Sequence, residues 1–393
     1  MVRNKQFISG DEAAALGVKL SKVRVIAAYP ITPQTIVVEK LSEYVADGML
    51  DSEYIHVESE HSAIMASLGS CAAGIRTFTA TSSQGLLYMT EGLPFVAGSR
   101  FPLVMVNANR SVAVPWSIFG DQNDSMSTLN FGWLQVYVEN AQEALDMIIQ
   151  AYKIAENKDV MAPVMVNLDG FILTHTYELV DIPEQEMVDS FLPPYTSTNF
   201  MDIDNPKSVC IGVGPDWHTE FRYKQHIDLI HSATVVKQTD KEYGDLFGRY
   251  YGGMVEKYQC DDAEAVLVTV GSITSTTREV VDQMRSEGYK VGLLKLRFLR
   301  PFPTDEFIAL SDSVRAIGVI DKDCSYGYEG VIYTNVNSAL MRKSIIPLTK
   351  NYIAGLAGRD ITKEQLREMF IDLLESDKKS CTDRVKFIQC KVG

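Results

Sequence analysis

The sequence has no long apolar run, no Cys-x-x-Cys pair and no excess of positive charge. No stretch approaches the roughly 18 apolar residues that a membrane-spanning helix needs. With 51 acidic against 37 basic residues the net charge is −14, which argues against nucleic acid or an anionic membrane surface as a partner. The six cysteines (Cys71, Cys210, Cys260, Cys324, Cys381 and Cys390) all lie more than four positions apart. That spacing excludes the usual zinc and iron–sulfur ligand sets, so any redox cluster is expected on another chain. The even count allows disulfides, but a chain of this length without an export signal favours free thiols. Residues Met1 to Asp11 are polar and mixed in charge, without the apolar core of a secretory signal, so a cytoplasmic protein is expected. Neither G-x-G-x-x-G after the first predicted strand, nor a P-loop, nor a G-x-S-x-G elbow occurs. Nucleotide-dependent hydride transfer, NTP hydrolysis and serine-esterase chemistry lose their support.

What is present is an ordinary globular balance, 46% hydrophobic and 22% charged over 393 residues, enough for two or three domains. The first half alternates β-branched runs with helical stretches. Strands are predicted at Val23–Ala28, Tyr54–Val57, Thr77–Thr81, Leu103–Asn107 and Pro163–Leu168, with helices at Thr35–Asp47, His61–Gly74, Leu86–Ala97 and Ala141–Asn157. This pattern predicts a parallel sheet covered on both faces, with ligands in the loops beyond Ala28, Val57, Thr81 and Asn107. The helix His61–Gly74 carries small residues around most of its circumference. It is expected to be buried or to pack against a partner chain near Cys71. Asp181 to Tyr251 reads as a proline-broken connection followed by an amphipathic helix. Strands at Ala265–Val270, Lys290–Leu296, Ala316–Asp321 and Ile346–Ile353 begin a second, smaller α/β unit.

Four loops carry candidate chemistry. In Tyr29-Pro30-Ile31-Thr32-Pro33 two prolines stiffen a turn and fix the Thr32 hydroxyl; the plain alternative is a rigid loop with Thr32 or Thr35 as a helix cap. In Glu58-Ser59-Glu60-His61 two carboxylates flank the start of an apolar helix, more charge than a cap requires. Thr79-Ala80-Thr81-Ser82-Ser83-Gln84-Gly85 is a small polar loop whose backbone could meet a ligand's ring edge. Asn107-Ala108-Asn109-Arg110 ends an apolar strand on a guanidinium placed to clamp a carboxylate, or else to form a surface ion pair. Asp121 and Asp124 follow in a segment expected to be a solvated loop rather than a metal site. His56, His61 and His175 have neither triad nor ligand spacing.

Taken together these segments resemble a known family. Ala28-Tyr29-Pro30-Ile31-Thr32-Pro33-Gln34-Thr35, Val57-Glu58-Ser59-Glu60-His61-Ser62-Ala63, the Thr79–Gly85 loop and Asn167-Leu168-Asp169-Gly170-Phe171 occur in the order seen in alpha subunits of the 2-oxoacid:ferredoxin oxidoreductases, pyruvate:ferredoxin oxidoreductase (pyruvate synthase) among them. The similarity continues through Phe298-Leu299-Arg300-Pro301-Phe302-Pro303 and Gly355-Leu356-Ala357-Gly358-Arg359-Asp360, and so covers nearly the whole chain.

The resemblance implies an α/β protein. Its parallel-sheet, pyrimidine-binding thiamine diphosphate domain with connecting segment would occupy residues 1–250, and a transketolase C-terminal-like domain residues 251–393. By the same resemblance Glu60 matches the glutamate that hydrogen-bonds N1′ of the aminopyrimidine and favours its imino form. Thr32 matches the threonine that binds the 2-oxoacid, and Arg110 the arginine near its carboxylate. Pro30, Ser83, Gln84 and Gly85 fall on cofactor-facing positions. Oxalate-specific relatives carry arginine at the Thr32 position, which speaks against oxalate. Where the family commonly reads Cys-Asp-His-x-Asp, this chain has Gly120-Asp121-Gln122-Asn123-Asp124. No Gly-Asp-Gly diphosphate motif occurs. A beta subunit is therefore implied to supply the diphosphate and Mg²⁺ site and a [4Fe-4S] cluster, with gamma and cluster-bearing delta subunits completing the complex. The implied reaction converts pyruvate and coenzyme A to acetyl-CoA and CO₂ with electrons passed to ferredoxin. A branched 2-oxoacid or 2-oxoglutarate is the alternative substrate, and a non-catalytic assembly subunit the alternative of another class.

Overall fold

A computed structural model describes residues 4–377 and 385–392. The apolar runs of the first half form a seven-stranded sheet. From one edge to the other its strands are Phe298–Arg300, Leu134–Tyr137, Val164–Asp169, Val104–Asn109, Thr77–Thr81, Val25–Ala28 and Glu53–His56. The five strands between the two edges are buried along their whole length, as parallel strands covered on both faces by helices must be. All pairings are parallel except that of Phe298–Arg300, which lies antiparallel on Leu134–Tyr137. A second sheet, ordered Val385–Phe387, Leu348–Ile353, Ala316–Asp321, Ala265–Thr269, Val291–Leu296, Val255–Tyr258, is parallel but for its last strand. Asn4–Ser9 and Tyr177–Ile182 form an antiparallel ribbon.

The predicted parallel architecture is therefore present, with instructive departures. Six strands escape the sequence pattern: Asn4–Ser9 and Tyr177–Ile182, which pair with each other outside the main sheets, Leu134–Tyr137 and Val255–Tyr258, and the three-residue Phe298–Arg300 and Val385–Phe387. The predicted helix Leu86–Ala97 is two short ones, Ser83–Tyr88 and Gly92–Gly98. Pro94 has no N–H to offer the Thr90 carbonyl, and the break lets Gly92 approach Ile64 so closely that a Cβ would lie 2.5 Å from Ile64 Cγ2. The amphipathic helix after the connection runs 33 residues, Pro215–Phe247. The small-residue helix, Glu60–Ala72, is not enclosed on all sides within this chain: Met65 and Gly69 are exposed, whereas Cys71 is buried.

One apolar core crosses from the first half to the second, joining Val106 and Leu134 to Val268, Leu296 and Phe307. A buried ion network crosses with it. Lys295 Nζ lies 2.8 Å from Glu139 and 2.7 Å from Glu143, and Arg297 Nε donates to Glu143 at 2.8 Å. Arg278 closes the group on Glu139 at 3.0 Å. Asp169, at the end of Val164–Asp169, forms a second bridge to Lys322 at 2.9 Å and to Ser272 N and Oγ at 2.8 and 2.6 Å. Cys71, Cys210, Cys260, Cys324 and Cys390 are free thiols; Cys381 lies outside the described residues. Among the described residues no helix is long and apolar enough to cross a membrane.

Candidate active site at the strand C-termini

The parallel sheet brings four loops to one rim, each following the C-terminal end of a strand: 29–34, 57–60, 82–85 and 110–124. They are tied to one another by named bonds. Gln34 Nε2 donates to the Tyr29 carbonyl at 2.9 Å and to the Ala80 carbonyl at 3.2 Å, joining the first loop to the strand that carries the third. Arg110 Nη1 donates to the Thr32 carbonyl at 2.6 Å, joining the fourth to the first.

Glu60 is not a cap. The helix N-cap is Ser59, whose hydroxyl accepts from Ser62 N at 3.1 Å, while Glu58 is exposed and accepts from Ser62 Oγ at 2.6 Å. Glu60 is the first helical residue, only 8% exposed, and its carboxylate makes no hydrogen bond with any described residue. Gly85 makes this placement possible: a Cβ there would lie 2.6 Å from Glu60 Oε1 and 2.9 Å from Glu60 Cγ.

Arg110 is likewise not a surface ion pair. It is 6% exposed, and among the described residues its guanidinium contacts no carboxylate; Nη2 reaches Gln84 Oε1 at 3.4 Å and Nε has no acceptor there. Burial lowers its pKa from the ordinary value, against the opposing pull of Asp124 and Glu60. Thr32 has an exposed side chain and caps nothing; the following helix starts at Thr35 with Gln34 as N-cap. Pro30 is exposed on the same turn.

Ser83 is buried, with a left-handed φ of 51°. Its hydroxyl donates to the Ser111 carbonyl at 2.6 Å or to Gln84 Oε1 at 2.6 Å. Gln84 is half-buried and accepts from Arg110. The hydroxyls of Thr79, Thr81 and Ser82 are buried without partners among the described residues.

The segment 120–124 departs from the expected solvated loop. Asp121 and Asp124 are 3% and 0% exposed, and both accept hydrogen bonds from the chain. Asp121 holds Asn123 N at 3.2 Å and Ala357 N, from the Gly355–Asp360 motif, at 3.2 Å. Gln122 is fully buried and donates to Asp169 Oδ1 at 3.1 Å, so within its rim loop it serves the bridge between the two sheets. Sequence reasoning missed that role, because Asp169 lies 47 positions away. His56 rests against Tyr54, His61 faces Glu91 at 3.1 Å, and His175 stacks on Phe171.

The rim thus offers a buried carboxylate, unpartnered among the described residues and packed on Gly85, with the Arg110 guanidinium within electrostatic reach and the Thr32 turn bonded to it. A carboxylate placed like Glu60 can hold a protonated ring nitrogen, so the residues present fit the aminopyrimidine end of thiamine diphosphate.

Known proteins bear on this geometry. Residues 16–241 match the family described as pyruvate flavodoxin/ferredoxin oxidoreductase, thiamine diphosphate-binding, and residues 263–366 match pyruvate:ferredoxin oxidoreductase core domain II. The chain is 46% identical over 375 residues to the pyruvate synthase subunit PorA of Methanothermobacter thermautotrophicus, covering 95% of this chain and 96% of that one. It is also 46% identical over 373 residues to the ketoisovalerate oxidoreductase subunit VorA of Pyrococcus horikoshii, covering 94% and 93%. The fold is similar to that of the 2-oxoglutarate:ferredoxin oxidoreductase from Magnetococcus marinus, at a TM-score of 0.73 and 19% identity, over 95% of this chain and 66% of that one. The chain belongs to the pyruvate flavodoxin/ferredoxin oxidoreductase family and is an alpha-type subunit of a 2-oxoacid:ferredoxin oxidoreductase.

Proposed function

We propose that this chain is the alpha subunit of a pyruvate:ferredoxin oxidoreductase, acting with beta, gamma and delta subunits on pyruvate and coenzyme A and passing electrons to ferredoxin. The observation that carries the reading is the buried Glu60 carboxylate, without a hydrogen-bond partner among the described residues and within electrostatic reach of Arg110, which in turn donates to the Thr32 carbonyl. Thiamine diphosphate, when bound, supplies the electron sink for decarboxylation of a 2-oxoacid. Glu60 would hold the pyrimidine ring by accepting a hydrogen bond from a protonated ring nitrogen. Pro30 and the Ser83-Gln84-Gly85 turn form the wall of that subsite. Arg110, fixed by the Thr32 carbonyl, binds the substrate carboxylate; the Thr32 hydroxyl binds the 2-oxo group. Glu60, Arg110 and Ser83 are buried, and the low polarity around them strengthens their contacts. The diphosphate, Mg²⁺ and iron–sulfur clusters fall to the partner subunits, in keeping with the absence of Gly-Asp-Gly and of paired cysteines. Residues 1–250 form the cofactor-binding unit and residues 251–393 the accessory unit.

A second reading keeps the chemistry and changes the acid to a branched 2-oxoacid, supported by the equal identity to the ketoisovalerate enzyme subunit. The deciding experiment isolates the complex anaerobically through a tag on this chain. Coenzyme A-dependent viologen reduction is then measured with pyruvate, 2-oxoisovalerate, 2-oxoglutarate and oxalate side by side. Pyruvate should rank first; preference for 2-oxoisovalerate selects the second reading. No turnover, together with no affinity of the complex for thiamine diphosphate, makes the chain an assembly subunit.

A further inference from the structure

Asp124 lies where the cofactor-facing turn meets the substrate-facing strand end. It is the second residue of the short helix Asn123–Met126 and has no solvent exposure. Its Oδ2 accepts from Ser83 N at 3.0 Å, from Arg110 N at 3.1 Å and from Asn107 Nδ2 at 3.3 Å. Its Oδ1 accepts from Asn109 Nδ2 at 2.8 Å and from Ser125 N at 2.7 Å. All five partners are donors, and none is a cation.

This arrangement is unusual for a merely structural aspartate. A buried carboxylate without an ion pair is costly, and a backbone N–H is commonly satisfied by another carbonyl at no such expense. Here a single oxygen takes the main-chain N–H groups of Ser83 and Arg110, which are 27 positions apart in sequence. Ser83 occupies the left-handed region, which a residue with a side chain adopts only where its surroundings impose it. The next two residues, Gln84 and Gly85, touch Arg110 and Glu60 respectively. Fixing Ser83 N therefore fixes the floor under Glu60, and fixing Arg110 N fixes the root of the substrate guanidinium.

The geometry points to Asp124 as a positioning residue that sets the register between the cofactor recess, through Ser83, and the substrate site, through Arg110. This rests on the function proposed above and adds to it a coupling. Loss of one oxygen should weaken cofactor and 2-oxoacid together, although Asp124 touches neither.

The proton state of Asp124 reports on the coupling. Burial raises its pKa to about 6, opposed by its donors from Asn109, Arg110, Ser83 and Ser125. The titratable or charged groups facing it are Arg110 and, through Ser125 Oγ at 2.9 Å, the Tyr137 hydroxyl. Neither changes charge between pH 5 and 8. Protonation turns one acceptor oxygen into a donor that faces other donors.

The test uses the complex assembled with its partner subunits. In the wild type, the KM for pyruvate and the Kd for thiamine diphosphate, the latter read by calorimetry, should rise together as pH falls below about 6. In Asp124→Asn both should be raised at neutral pH by roughly 10- to 100-fold, with partner subunits still co-purifying and without the acid limb. Wild-type constants flat across pH 6, a variant in which only one constant moves, or a variant that keeps the limb would each overturn the inference. Should Asp124→Asn fail to assemble, the wild-type profile decides alone. Glu60→Gln separates the two levels: full turnover in that variant removes the proposed function. A dead Glu60→Gln beside an Asp124→Asn with wild-type constants removes only the role of Asp124.

Discussion

Glu60 Oε1 lies over the α-carbon of Gly85, near enough that a Cβ at Gly85 would be 2.6 Å from it and 2.5 Å from Thr81 Oγ1. The glycine is required by space and not by backbone angle, since its φ is not in the left-handed region. An apolar helix start and a small polar loop, 25 positions apart, thus share one atom's worth of room around the carboxylate proposed to hold the cofactor.

Gly85→Ala should accordingly act on binding before it acts on the fold. Overpacking of this kind costs about 1–3 kcal/mol, a modest loss for a chain with so large a core. The displaced carboxylate should raise the Kd for thiamine diphosphate by at least about tenfold, the equivalent of 1.4 kcal/mol. Calorimetric titration of the assembled complex checks this, and an unchanged Kd would detach Gly85 from the recess.

Arg110→Ala removes the guanidinium while Asp124 still holds the main chain at that position. A carboxylate-binding arginine of this kind contributes mainly to ground-state and transition-state binding alike, so KM for the 2-oxoacid should rise roughly 100-fold with kcat reduced less. Steady-state kinetics with pyruvate as the varied substrate decide it. An unaltered KM would take Arg110 out of the substrate site.

How much of this was legible beforehand follows the range of each interaction. The parallel sheet and the four rim loops came from patterns that repeat within ten residues, and the loops held Thr32, Glu60, Ser83 and Arg110. The choice between cap and free carboxylate at Glu60 could not be read locally, because it depends on Ser59 taking the cap and on Gly85 opening the floor. Burial of Asp121, Gln122 and Asp124 was invisible for a different reason. Their partners, Ala357, Asp169 and Ser83, lie 236, 47 and 41 positions away, and a polar sequence with distant partners looks like a solvated loop. The edge strand Phe298–Arg300 was hidden because its pairing partner, Leu134–Tyr137, belongs to the other half of the chain.

The two halves should come apart in acid through the Glu139–Lys295 network. Burial tends to raise the Glu139 pKa, but Lys295, Arg278 and Ser275 outweigh it and hold the carboxyl at about 2. A depressed carboxylate pKa gives stability that is present above the unfolded value near 4.5 and is lost as pH falls toward 2. The contribution is about 3 kcal/mol at neutral pH. Urea midpoints measured between pH 7 and pH 3 should fall in the wild type. In Glu139→Gln they should begin lower and fall less steeply, and equal slopes would contradict the assignment.

Gln122→His tests whether the departure at the family's histidine position selects the substrate. Gln122 is buried, and its amide donates to Asp169, whose other partners are Lys322 and Ser272 of the second half. An imidazole N–H can make the same donation, and the carboxylate of Asp169 would favour it. The position therefore acts on the join between the halves. Exchange should shift the melting temperature in proportion to how well the ring packs, while the order of pyruvate, 2-oxoisovalerate and 2-oxoglutarate as substrates stays as in the wild type. A reversal of that order would show that the bridge at Asp169, which pairs with Asn109 beside Arg110, reaches the substrate site, and would move the determinant of specificity to residue 122.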